Sequence, residues 1–79
     1  MKGKNILILK EIMTTVLEIE GDIEFSNLEQ ANQLKWDSLA IVNLVVAVES
    51  DFGIKIKNEE IEHFISFNKI VSVLESKGL

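Results

Sequence analysis

Ile6, Leu9, Met13, Val16 and Leu17 recur three and four residues apart, the spacing that gathers side chains on one face of an α-helix. We read a helix from Lys4 to Ile19, with Gly21 beyond it where a left-handed residue would end the run. From Gly21 to Trp36 no period persists. Ile23, Phe25, Leu28, Leu34 and Trp36 nevertheless supply enough apolar anchors for a packed loop. Ser26 with Glu29 three residues later has the form of a capping box, so a short helical turn is expected near Asn27 to Asn32.

Leu39 to Val48 is apolar except for Asn43, a run that propensity alone would allow as a buried strand. Helix is the better reading, because Asp37 and Ser38 supply capping chemistry ahead of it. The set Ile41, Val42, Val45, Val48 and Phe52 then continues on one face until Gly53. Asn58 is a candidate cap for a brief helix whose first turn holds Glu59 and Glu60, favourable beside the positive end of the peptide dipoles. Ser66 is a further cap, ahead of Phe67, Ile70, Val71 and Leu74 on a last helix closed by Gly78. No strand pairing is required. The expectation is an all-α, four-helix bundle: three longer helices, one short one, and a long loop between the first and second.

The 79 residues suffice for one domain, residues 1–79, with one modest core and no enclosed catalytic cleft. There is no cysteine, and the single histidine cannot complete the usual zinc spacings, so no metal site is expected. The eight basic residues, all lysine, leave a net charge of −5, which argues against a nucleic-acid partner. Glu18, Glu20, Asp22, Glu24 and Glu29 form one acidic stretch and Glu59, Glu60 and Glu62 another. Each reads as a solvated surface or as a face for basic protein partners. Lys10 and Glu11 end the apolar run Ile6 to Leu9 too early for a signal peptide or membrane insertion, and a cytoplasmic protein is expected.

The informative site is Asp37-Ser38-Leu39. A hydroxyl at a helix start is exposed, and a phosphate ester on it would lie beside unpaired backbone N–H groups at the positive end of the helix dipole. Serine at this position is also an ordinary cap. The run from Trp36 to Ile54, with its Asp-Ser-Leu and its Glu-x-x-Phe-Gly-Ile ending, resembles the second helix of the acyl carrier protein family. The likeness covers nearly the whole chain, from an amphipathic first helix to an Asn-Glu-Glu short helix and a last apolar helix. It implies that Ser38 receives 4′-phosphopantetheine from coenzyme A through a phosphopantetheinyl transferase. On that reading the chain is a non-catalytic, monomeric carrier that takes thioester cargo between acyl-loading and acyl-processing enzymes. Asp37 would be read by the transferase, while also able to cap the helix. Leu39 would face partners or pack in the core.

The sequence departs from fatty-acid synthesis carriers of this family in one respect. Those place acids on the helix shortly after the serine, whereas here Ala40, Ile41 and Asn43 follow and no charge appears until Glu49. Apolar docking is then expected to outweigh electrostatic steering, with Ala40, Leu44, Val46 and Ala47 as the candidate patch unless the loop covers it. A dedicated pathway with polyketide-like, aminoacyl or unusual acyl cargo is the reading that follows. Trp36, where the family commonly has a glycine-containing approach, is expected to pack the loop. Two other readings stand beside it: a hydrolytic triad of Ser38, His63 and Asp37 or Asp51, and a helical adaptor in which Ser38 is only a cap.

Overall fold

A computed structural model describes residues 1–79 and contains four helices: α1 (Gly3–Val16), α2 (Ser38–Phe52), α3 (Asn58–Ile61) and α4 (Phe67–Ser76). The architecture is the expected all-α bundle with one short helix. Its single core takes Leu9, Ile12, Met13 and Leu17 from the first helix region, Ala40, Leu44, Val45 and Val48 from α2, and Phe67, Ile70, Val73 and Leu74 from α4. Leu28, Trp36 and Phe64 complete it from the connecting segments.

Helix α1 ends earlier than its periodicity predicts. Glu18, not Gly21, takes the left-handed conformation that stops it, with φ of 52°. The Ile19 N–H turns back to the Thr14 carbonyl at 3.0 Å, the six-to-one bond of a Schellman ending. Leu17 is fully buried, and turning the chain immediately after it keeps that side chain in the core. A left-handed residue with a Cβ is strained by about 1–2 kcal/mol, offset in glycine by a backbone entropy penalty of about 0.5–1 kcal/mol. Glu18→Gly is therefore expected to stabilise the bundle by about 0.5–1 kcal/mol, raising Tm by a few degrees in a thermal melt. An unchanged or lower Tm would refute it. The ion pair lost with Lys35 is exposed and contributes little.

The loop between α1 and α2 holds two 3-10 turns, Phe25–Asn27 and Gln30–Asn32, in place of the single predicted turn. The predicted Ser26 and Glu29 box does not form. Ser26 Oγ donates to Glu24 Oε1 at 3.0 Å, and the Glu29 N–H donates to Asn32 Oδ1 at 3.1 Å. Hydrogen bonds pin this loop to the segment between α3 and α4 and to the first turn of α4. Gln30 N–H donates to Ile65 O at 2.8 Å, Phe67 N–H to Leu28 O at 2.9 Å, and Trp36 Nε1 to Phe64 O at 3.0 Å. Phe25 packs on Phe67 with ring centroids 5.4 Å apart. The loop is thus a fixed part of the fold.

Around α3 the cap is Lys57, and Asn58 is the first helical residue. Glu60 does the work assigned to Asn58, its Oε1 accepting the Lys57 N–H at 2.8 Å. The same oxygen meets Lys77 Nζ at 2.9 Å, tying α3 to the end of α4. The Lys57 N–H and then the Lys77 ammonium hold the Glu60 carboxyl below its ordinary value of 4.5. A carboxylate lowered in the folded state stabilises the fold above its unfolded value, and that contribution disappears as pH falls through the folded value. The stability gap between the parent and Glu60→Gln should accordingly be full at neutral pH and narrow on acidification. Urea titrations at a series of pH values check this; a gap that widens in acid would contradict it. Ser66 caps α4 as expected, accepting the Lys69 N–H at 3.1 Å. On α4 the buried face is Phe67, Ile70, Val73 and Leu74, with Val71 only partly covered.

The candidate modification site

Asp37 is the cap of α2: its Oδ1 accepts the Ala40 N–H at 2.9 Å, and its carbonyl accepts the Ile41 N–H at 3.0 Å. Ser38 is therefore the first helical residue, not the cap. Its side chain is exposed, and its hydroxyl makes no hydrogen bond within the chain. The backbone N–H groups of Ser38 and Leu39 likewise find no acceptor, as expected for the opening turn of a helix. A free hydroxyl thus stands beside free N–H donors, in a field that favours an anion.

What holds the serine in place is the residue before its cap. Trp36 is 2% exposed, its indole N–H bonded to Phe64 O, its own carbonyl accepting Gln30 Nε2 at 3.0 Å. Packing is the role expected of this tryptophan. At the other end, Gly53 terminates α2 in the left-handed region with φ of 65°.

The face of α2 turned to solvent differs from the predicted patch. Ala40 is 6% exposed and Leu44 wholly buried, because the residues that follow the Asp37 cap at three and seven positions point into the bundle against α1. Val42, expected on the core face, is instead 56% exposed. Leu39, Val42 and Val46 form the open apolar stripe at positions i, i+3 and i+7, with Leu39 at 67% and Val46 at 59% exposure. Leu34, at the tip of the turn closed by Trp36 N–H to Gln33 O, is fully exposed. Sequence reasoning did not single out Leu34 as a surface residue, since a leucine beside a tryptophan reads as a second anchor.

The proposed triad is not assembled. His63 lies just beyond α3, half-exposed, 4.0 Å from Glu62, and bonds to neither Ser38 nor an aspartate. It borders a hollow with Glu60, Lys69 and Ser72 instead. No group of three histidine, aspartate or glutamate side chains converges as a metal site, and no helix is long and apolar enough to cross a membrane.

Fold and site together define a small helical bundle that presents one free serine hydroxyl at the start of its second helix, on a rigidly anchored loop. Comparison with known proteins agrees. The acyl carrier protein of Petrotoga mobilis is 33% identical over 69 residues, covering 87% of this chain and 81% of that protein. Those of Bdellovibrio bacteriovorus, 33% identical over 70 residues with 89% and 90% covered, and of Buchnera aphidicola from Schizaphis graminum, 30% identical over 70 residues with 89% of each covered, align similarly. No known family model matches the chain. The chain belongs to the acyl carrier protein family.

Proposed function

We propose that this chain is a single-domain carrier, cytoplasmic and monomeric, that holds acyl or related intermediates on a 4′-phosphopantetheine arm esterified to Ser38. The observation that carries the reading is the Ser38 hydroxyl, exposed and without a hydrogen-bond partner because Asp37 has taken over capping. The residues fit the group: the hydroxyl is free to form the phosphodiester, and the unpaired N–H groups of Ser38 and Leu39 would be available as donors to its phosphate. When bound, the group supplies the thiol that a chain without cysteine lacks, on which cargo rides as a thioester. The chain's own contribution is to hold Ser38 outward and offer partners a surface.

Asp37, Leu39 and Val46 would contact the transferase and the acyl-loading and acyl-processing enzymes, with Val42 joining them. Ala40 supports that face from beneath. The helix carries no charge between Asp37 and Glu49, so docking would rely on apolar contact more than on steering. This favours a dedicated pathway with polyketide-like, aminoacyl or unusual acyl cargo over general fatty-acid synthesis. The rate of Ser38 modification is expected to change less than about threefold between low and high salt, where a steered encounter falls steeply. Stopped time courses at several NaCl concentrations measure this. A tenfold or greater decline would place electrostatics back in control and remove the argument for a specialised partner set. The carrier reading itself is tested by intact mass before and after incubation with coenzyme A and a broad-specificity transferase.

A further inference from the structure

One concavity of the molecule lies apart from Ser38. It is a groove of about 390 Å³ between α1 and α2, within the range of about 300–1,000 Å³ that ligand sites occupy. Its floor is Ile8, Ile12 and Val16, one strip of α1 at four-residue spacing, together with Ala47 of α2. The small Ala47 side chain leaves the space open. Two carboxylates border this floor from different helices, Glu11 on α1 and Asp51 on α2. Both are exposed, and neither belongs to any ion pair of the chain. Lys10, the chain neighbour of Glu11, is drawn away over the Phe25 ring, 5.4 Å from its centroid.

An apolar floor between two unpaired carboxylates matches a ligand with an aliphatic stem and a cationic head. That is the form of a lysine or arginine side chain, which lays its methylenes on apolar surface while its charge reaches polar groups. Arginine suits the site better, because its guanidinium is more weakly hydrated and its planar fork can donate to carboxylates on two sides. Ala47 lies nine residues after Ser38, about half a turn of azimuth around the α2 axis at 3.6 residues per turn. The groove therefore faces away from the modification site.

We propose that the α1–α2 groove is a second protein contact, which receives an arginine side chain of a partner on the face opposite Ser38. A partner held there leaves the Leu39, Val42 and Val46 stripe free for another protein. The inference depends on the groove and its charges alone and stands whether or not Ser38 is modified.

The test is an NMR titration of the whole chain with an acetylated, amidated leucine-arginine-leucine tripeptide. Saturable shifts at Ile8, Ile12, Val16 and Ala47 are expected. Affinity should fall at least about fivefold when neutral citrulline replaces the arginine, and equally in the Glu11→Gln, Asp51→Asn double variant. Both substitutions are at exposed positions, so the fold is retained. The absence of groove shifts up to about 10 mM peptide would overturn the proposal. So would undiminished binding of the citrulline peptide, or undiminished binding by the double variant. Hexylammonium binding more tightly than the tripeptide would identify a small-amine pocket instead, and would equally overturn the partner assignment.

Discussion

Ser38→Ala is expected to keep its original mass when incubated with coenzyme A and a phosphopantetheinyl transferase, while the parent gains one phosphopantetheinyl group. The effect is all or none, because the hydroxyl oxygen is the atom that would form the ester. The substitution is also clean structurally. Asp37 rather than Ser38 caps α2, and no hydrogen bond within the chain uses the serine hydroxyl, so nothing in the folded state is left unpaired. Alanine is the better helix former by a few tenths of a kcal/mol, and the variant should melt at or slightly above the parent's Tm. A variant that still gains mass would move the attachment point to another hydroxyl. A folded, initially unmodified parent that gains none would leave the adaptor reading as the better account, since the exposed stripe of Leu39, Val42 and Val46 also suits one permanent partner.

Trp36→Ala should produce the largest loss of stability of any single substitution in the loop, about 3–5 kcal/mol for a buried aromatic truncated to alanine. Folded domains have only about 5–15 kcal/mol in total, and a chain this short sits toward the low end. The variant is expected to be partly or wholly unfolded at room temperature. Two losses combine here: the apolar area of the ring, and the bond from its N–H to the Phe64 carbonyl at 3.0 Å. Trp36→Phe separates them, keeping most of the area while leaving that carbonyl unpaired, for about 1–3 kcal/mol. Far-UV circular dichroism in urea is the appropriate measurement, because Trp36 is the chain's one tryptophan and its fluorescence goes with it. A loss under about 1 kcal/mol in Trp36→Ala would mean that the backbone bonds of Gln30 and Phe67 anchor the loop without it.

Through Trp36, two residues before Ser38, the site is tied to the core. The loop from Glu18 to Asp37 has its ends fixed by a left-handed stop and a helix cap, and its middle is bonded to the α3–α4 segment. Ser38 is consequently presented at a defined place rather than on a mobile tether. A partner that docks at Ser38 would meet the same geometry each time, which reduces the ordering that binding would otherwise require.

Most of the architecture was legible in the sequence because local chemistry and periodicity agreed. Asp37 ahead of an apolar run and Gly53 behind it bounded α2; Ser66 and Gly78 bounded α4; Trp36 was recognisable as a packing residue. The misplaced caps and helix ends fall where more than one nearby residue could do the same job. Gly21 looked like the stop for α1, but a glycine's freedom indicates only where a left-handed residue is easy, and the burial of Leu17 put the turn at Glu18. Ser26 and Glu29 had the spacing of a capping box, while Asn32, equally near in the chain, made the bond. Asn58 had a capping side chain, but Glu60 reached back to Lys57 and gained Lys77 as a second partner.

By itself the sequence determined the helical class, the order of elements, the buried tryptophan and the serine at the head of the second helix, since each depends on spacing or capping within a few residues. Only the tertiary structure decided which side of α2 is open. That helix is apolar nearly all round, so its own pattern cannot choose between burying Val42 or Leu44, and the choice falls to how α1 packs along it. With Ala40 and Leu44 turned inward, Leu39, Val42 and Val46 become surface. The same packing leaves Glu11 and Asp51 together beside one groove, though forty residues separate them in the chain.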